Sequence, residues 1–355
     1  MKKILLAVLL VLLPSLAWGA AQVYYVTGAG AGDKSGGTWA TAMGEAEFET
    51  DLEGNAEAGD IYYVLGGETL TLDSAYDSSL KDGTAVAPIS IIGVKAATTA
   101  EPPTYSDWPA VGSADRPTFD CVADYNIIFG DYYKVFNAIF DGTHGSTRVT
   151  SGVSGIFYNC KVDNGTATAS QYALSVGSYS AVIGCELICD AGYCHGMGNS
   201  CSLLYSYLHD SVDGVIATGG SIVAFCVLDT MTSRGVIINT GLGIKVLNNT
   251  FYNCALASVK GTTGHSTIAI NNIVDTTAAD GFLWDTPTDL SFFWKNHEGN
   301  SVTDMWDGVD VAMPHMDPAV TSGDPKFVGA AAGNFTLGTT SPNLDAALGL
   351  ELGDE

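Results

Sequence analysis

The chain has 355 residues, 46% of them apolar, with 42 glycines and a charged fraction of only 15%. This composition excludes intrinsic disorder, which goes with few apolar and many charged residues. The 14 Lys and Arg stand against 39 Asp and Glu, a formal net charge of −25 at pH 7, which excludes nucleic acid and anionic membrane surfaces as partners and favours hard cations such as Ca²⁺.

Residues 1–19 open with Lys2 and Lys3, run apolar from Ile4 to Leu13, and end on Ala17, Trp18 and Gly19. Two lysines, a short apolar run and small residues before a cleavage point predict a secretory signal peptide, too short to span a bilayer. No later run is long enough to span either, so the reading is an exported protein, extracellular or periplasmic, without membrane insertion. Residues 28–35, GAGAGDKS, look at first like a phosphate loop. A phosphate loop needs glycine where Asp33 stands, and a carboxylate there repels phosphate. The glycines of 28–37 are therefore expected in a tight turn needing positive φ.

From residue 135 a short alternating unit recurs: VFNAIF, FYNCKV, VIGCEL, LLYSYL, AFCVL, VLNNTF and IAINNIV. Its small or amide position falls at Ala138, Cys160, Cys185, Ser206, Cys226, Asn249 and Asn272, at intervals of 22, 25, 21, 20, 23 and 23 residues. Strand side chains alternate faces. Strict alternation therefore points this column inward, together with the residues two before it (Phe136, Tyr158, Ile183, Leu204, Ala224, Leu247, Ile270) and two after it (Phe140, Val162, Leu187, Leu208, Leu228, Phe251, Val274). A unit of this length without an amphipathic helix cannot bury its own face, and stacked units make a β-solenoid.

On three further blocks, YYVTGAGAGDKSGGTWATA with GDIYYVLGGETLTL, DGTAVAPISIIGVKA with RPTFD, and DPKFVGAAAGNFTLGTTSPNLDAA, the chain resembles secreted right-handed parallel β-helix proteins of the pectate-lyase-like group. The resemblance implies an all-β right-handed parallel β-helix of about ten coils, with an N-terminal cap over 20–58 and the helix over 59–355. Irregular insertions are expected near 96–115 and 285–325.

Two polar columns follow the strand units. One holds Asp163, Asp190, Asp210, Asp229, Asn253 and Asp275, the other His195, Asp213, Arg234, Leu256 and Asp280. Asp and Asn stack at solenoid turns because they accept backbone N–H bonds; alternatively the columns line a groove. For a groove, the resemblance implies a polysaccharide lyase in which Ca²⁺ held by Asp190, Asp210 and Asp229 neutralises a uronate carboxylate, Arg234 takes the α proton and Asp213 assists. A hydrolase would use Asp210 and Asp213 as its carboxylate pair. Phe293, Trp294, Trp306 and His195 are the candidates for contacting sugar, since aromatic faces pack on sugar rings. His297 and His315 read as exposed loop residues. Cys160, Cys185 and Cys226 read as buried small residues; Cys189, Cys194 and Cys201 lie in one polar turn region, where one disulfide among the three, for instance Cys189 to Cys194, is expected of an exported chain. The functional expectation is engagement of extracellular polysaccharide or a cell-surface glycan, with or without Ca²⁺-assisted cleavage. The alternative is a non-catalytic, adhesin-like surface solenoid.

Overall fold

The computed structural model describes residues 21–72, 76–78, 81–121, 126–142, 149–165, 171–261, 265–275, 280–284, 292–294, 296–298, 304–307, 325–330, 334–337, 339 and 341; the expected signal peptide and His315 lie outside them. The fold is a right-handed parallel β-helix. Its first wall stacks Val23–Val26, Ile61–Leu65, Ile89–Val94, Tyr133–Phe136, Ile156–Tyr158, Ala181–Ile183, Ser202–Leu204, Ile222–Ala224, Ile244–Leu247, Thr267–Ile270 and Phe292–Trp294. The wall has eleven strands among the described residues against the expected ten or so coils, and Val23–Val26, from the expected cap, is the one that lies outside 59–355. The remaining parallel strands form one 17-stranded sheet. In Glu186–Met197, Tyr207–Thr218 and Val227–Thr240 the chain runs through two successive walls as one strand, with register shifts at the bend.

The core is a set of stacked rows. Tyr62, Ile91, Val135, Phe157, Val182, Leu203, Val223, Val246 and Ala269 share one register and are buried. Each large member contributes about 1.5–3 kcal/mol by leaving water. This row corrects the expected phase of the first wall. Phe136, Tyr158 and Ile183 lie on its outer side, in a separate apolar cluster with Ile92 and Val94 beneath Trp39 and Trp108. The reason is the corner: Asn137, Asn159, Gly184, Tyr205, Phe225, Asn248 and Asn271 all have φ between 53° and 62°. One left-handed residue turns the chain, so Val135 and Ala138 both face in although they are three residues apart. The small column and the row after it do face inward, and both are buried.

The corner also explains why the inner column is Cys, Ser and Asn. Its backbone N–H groups bond the next rung's side chain: Cys160 N–H to Cys185 Sγ at 3.4 Å, Cys185 to Ser206 Oγ at 3.1 Å, Cys226 to Asn249 Oδ1 at 2.9 Å, and Asn249 to Asn272 Oδ1 at 3.0 Å. A buried N–H left without an acceptor is costly, and Cys185, Ser206, Asn249 and Asn272 supply one to the rung before them. All eight cysteines are buried and free, which corrects the expected disulfide among Cys189, Cys194 and Cys201. Cys194 Sγ instead bonds the Leu187 carbonyl at 3.3 Å, and Cys189 Sγ the Gln171 carbonyl at 3.8 Å.

At the N-terminal side the helix Glu45–Gly54 lays Phe48 and Leu52 against the end of the core, with Phe48 on Tyr62 at 5.6 Å and on Phe119 at 6.0 Å. The GAGAGDKS segment is a turn, with Gly30, Gly32, Lys34 and Gly36 at positive φ; Lys34 pairs with Glu47 at 3.3 Å. Residues 96–115 cover the outer face of the first wall, where Trp108 meets Phe136 at 5.4 Å. The stretch 285–325, expected to be irregular, carries three strands that continue the stack: Phe292–Trp294, His297–Glu298 and Asp304–Asp307. Asn296 extends the inner column, accepting from Asn272 N–H at 3.1 Å.

Candidate functional site

With Val162, Leu187 and Leu208 buried in the second wall, alternation turns Lys161, Glu186, Tyr207 and His209 outward. Lys161, Glu186 and Tyr207 share one rung position, while Ile188, His209 and Asp229 share the next but one. The result is a connected polar face. Lys161 Nζ lies 3.2 Å from Asp163 and 3.7 Å from Glu186. His209 sits between two carboxylates, Nδ1 at 2.8 Å from Asp210 and Nε2 at 3.4 Å from Glu186. Its ring stacks on Tyr207 at 4.3 Å, and the Tyr207 hydroxyl donates to Asp229 Oδ2 at 3.0 Å. The antiparallel hairpin of Phe327–Gly329 and Asn334–Leu337 bounds the face, with Phe335 6.2 Å from Tyr207 and 5.5 Å from Tyr252.

Burial works to lower the His209 pKa, but the hydrogen bonds and charges of Glu186 and Asp210 outweigh it and raise the imidazole above its ordinary 6.5. The hydrogen bond to His209 is the largest influence on Glu186 and, with Lys161, holds that carboxyl below its usual range. Burial and the Asp229 charge push the Tyr207 phenol up, so it keeps its proton. Such a face offers a proton acceptor or donor that switches above pH 6.5, flanked by fixed acceptors and one ammonium.

The residues singled out from the sequence are distributed differently. Asp213 and Arg234 are paired across one rung, Nε to Oδ1 at 2.8 Å and Nη2 to Oδ2 at 2.9 Å, with the Arg234 backbone N–H on the same carboxylate at 3.0 Å. Asp213 is 2% exposed. A guanidinium has donors and no acceptor, so Arg234 in this pairing anchors a buried carboxylate and has no lone pair for a substrate proton. Asp229 shares a rung with His209, and its Oδ1 accepts from Thr230 Oγ1 at 2.7 Å. Asp210 stands one position on, at positive φ like Thr230 and Asn253. The expected single column is thus split, because its members follow the small column by three to five residues. Burial first, then the charges of Asp163 and Asp210, raise the Asp190 carboxyl. Among the described residues no three His, Cys, Asp or Glu side chains converge to hold a metal ion.

His195, expected to contact sugar, is fully buried and takes the register of Val215, Val236 and Val259. It lies on the inward face of its strand, two residues past the rung of Asp213. Its Nδ1 is 3.0 Å from the Leu174 carbonyl, and Nε2 has no hydrogen-bond partner among the described residues. Burial lowers its pKa from 6.5 to about 4. A folded pKa below the unfolded one means stability that is complete above pH 6.5 and lost as pH falls toward 4, roughly 3 kcal/mol at about 1.4 per tenfold. Urea titrations of the protein and of His195→Leu at pH 4 and pH 7 should show this acid loss in the former and its absence in the latter. Phe293, Trp294 and Trp306 take the registers of Ala269, Ile270 and Phe282; they are rungs of the walls and no loop.

The sequence reading missed His209, Glu186, Lys161 and Tyr207 as a site. The available signal was that Lys161, Glu186 and Tyr207 occupy the outward position of three consecutive units, with His209 two residues further on the same side.

No helix among the described residues is long and apolar enough to cross a membrane. No family model and no curated protein matches the chain. Among solved structures, it is similar to the pectate lyase Pel9A, at 15% identity over 94% of this chain and 88% of that one, with a TM-score of 0.52. An alginate lyase from Paenibacillus sp. str. FPU-7 matches at 11% identity over 79% and 95%, TM-score 0.48, and a rhamnogalacturonan lyase at 14% over 85% and 80%, TM-score 0.46. The likeness to Pel9A and the parallel stack of strands show a pectate-lyase-like parallel β-helix fold.

Proposed function

We propose that the protein is exported and engages extracellular polysaccharide across the outward face of its second wall, with His209 as the group that moves a proton. The observation that carries this is the imidazole held between Glu186 and Asp210 and stacked on Tyr207. The fold shared with a pectate lyase supports it as a scaffold on which such faces act on glycans, although fold alone does not assign an activity. In a lyase reading, neutral His209 takes the proton α to a uronate carboxylate, and the Tyr207 hydroxyl supplies a proton to the leaving oxygen. The acidic surface suits neutral glycans better than polyuronates unless a cation screens the two. The rival reading, an adhesin-like solenoid, is favoured by Asp210, Thr230 and Asn253 sitting together at positive φ, as ordinary turn residues do.

The test uses the chain without residues 1–19 on pectate, alginate, xylan and mixed-linkage β-glucan, with and without chelator. It follows both ultraviolet-absorbing unsaturated product and reducing ends. The expected result is product from at least one polymer, lowered about 10²-fold or more in His209→Gln. Because the base must be neutral, activity should appear as pH rises through the raised imidazole pKa, above 6.5. Sensitivity to chelator would bring Ca²⁺ into the reaction. Absence of both products from all four polymers would sink the catalytic reading and leave the solenoid as a binding or structural body.

A further inference from the structure

The corner between the first and second walls is a ladder. Asn159 N–H donates to Ile183 O at 3.0 Å, Gly184 to Leu204 O at 2.9 Å, Tyr205 to Ala224 O at 3.1 Å and Phe225 to Leu247 O at 3.0 Å. Each corner residue thus stands one rung, about 4.8 Å, from the next. Asparagine and glycine accept the left-handed conformation readily, whereas an aromatic residue there costs on the order of 1–2 kcal/mol. Tyr205 and Phe225 nevertheless occupy it at φ 53° and 58°. Neither ring is in the core: they are 43% and 46% exposed and lie parallel, 5.0 Å apart with 10° between planes.

On the other side of Tyr205 the ladder has a gap. The next corner residue is Gly184, and a Cβ added there would meet nothing within 4 Å. Beyond it, Asn159 is tied back to Asn137 Oδ1 at 2.8 Å and to Gly112 N–H at 3.1 Å. Tyr205 and Asn159 are two rungs apart, about 9.6 Å. A flat ring needs about 3.5–4 Å on each side, so one ring fits between them and two do not.

We propose that this notch is a subsite for a single pyranose ring of a glycan, stacked by its C–H face on Tyr205 with Phe225 as backing. Glu186 lies two residues past Gly184 on the second wall, within the same polar face as Lys161, and offers an acceptor for ring hydroxyls. Tyr205 is two residues before Tyr207 and four before His209, so a sugar in the notch carries its chain onto the face described above. The inference rests on the polysaccharide reading and names where one of its units is held.

The experiment is affinity electrophoresis of the chain without residues 1–19 in gels containing pectate, alginate, xylan or mixed-linkage β-glucan. Two substitutions test the notch. Tyr205→Asn removes the platform while installing the residue that neighbouring rungs already carry at this φ. Gly184→Phe fills the gap in a conformation Phe225 already holds, and thermal melts confirm that both fold. The expected result is retention of the unsubstituted protein by at least one polymer, weakened tenfold or more in both variants. Retention that survives both substitutions would overturn the notch and leave the polysaccharide reading standing. Retention by none of the four would overturn both.

Discussion

Arg234→Ala is expected to lower the unfolding free energy by about 3–5 kcal/mol, because it removes one partner of a buried ion pair and leaves the other charge uncompensated. The Asp213 side chain is 3% exposed against 26% for Arg234, so the carboxylate is the group left stranded. It receives three contacts from Arg234, through Nε, Nη2 and the backbone N–H. Only the backbone contact survives truncation. A urea titration should show the midpoint falling with the slope unchanged. Arg234→Lys should fall between the two, since an ammonium keeps the charge and loses the planar fork. A midpoint for Arg234→Ala equal to that of the unsubstituted protein would show that the pair does not hold the walls together. If the loss occurs, lost activity in the same variant says nothing about a base, and His209→Gln is the informative substitution.

Asn272→Ala should cost at least about 3 kcal/mol, from several buried groups each worth about 1–3 kcal/mol when left without a partner. Asn272 Oδ1 accepts from both the backbone N–H and Nδ2 of Asn249, at 3.0 Å each. Its own Nδ2 donates to the Val246 carbonyl at 2.9 Å and to Asn296 Oδ1 at 2.8 Å. Removing one amide therefore interrupts the column on both sides. Asn271→Gly, which keeps the left-handed corner and removes only a half-buried amide bonded to Asn248 at 2.7 Å, should cost about 1 kcal/mol or less. The comparison is a pair of urea titrations. Equal, small losses would show that the inner column is packing alone and that its amides are replaceable.

The contrast between these two asparagines shows where sequence reading succeeds. The interval of 20 to 25 residues and the recurrence of small or amide residues at its fourth position are local facts, and they suffice for a solenoid because a unit that short cannot bury a face alone. The row Phe140 to Val274 was legible for the same reason: it follows the column by two residues with no corner between. The row Phe136 to Ile270 was misplaced because one left-handed residue intervenes, and Tyr205 or Phe225 at such a position gives no warning in the sequence, unlike glycine. In 285–325 a repeat unit was present but unrecognised, since its strands are short and Asn296 is its single clear mark.

The sequence by itself determined the periodic stack, the all-β class, the inward column and the acidic surface, because each depends on spacing or composition along one chain. The tertiary structure decided which side chains meet across rungs. His209 finds Glu186 23 residues away, Arg234 finds Asp213 21 residues away, and His195 enters the core. Register in a parallel sheet is set by stacking whole coils of unequal length, and a bulge or bend of one residue moves every later side chain to another face. That is why the polar columns read along the sequence and the polar face built in space contain different residues.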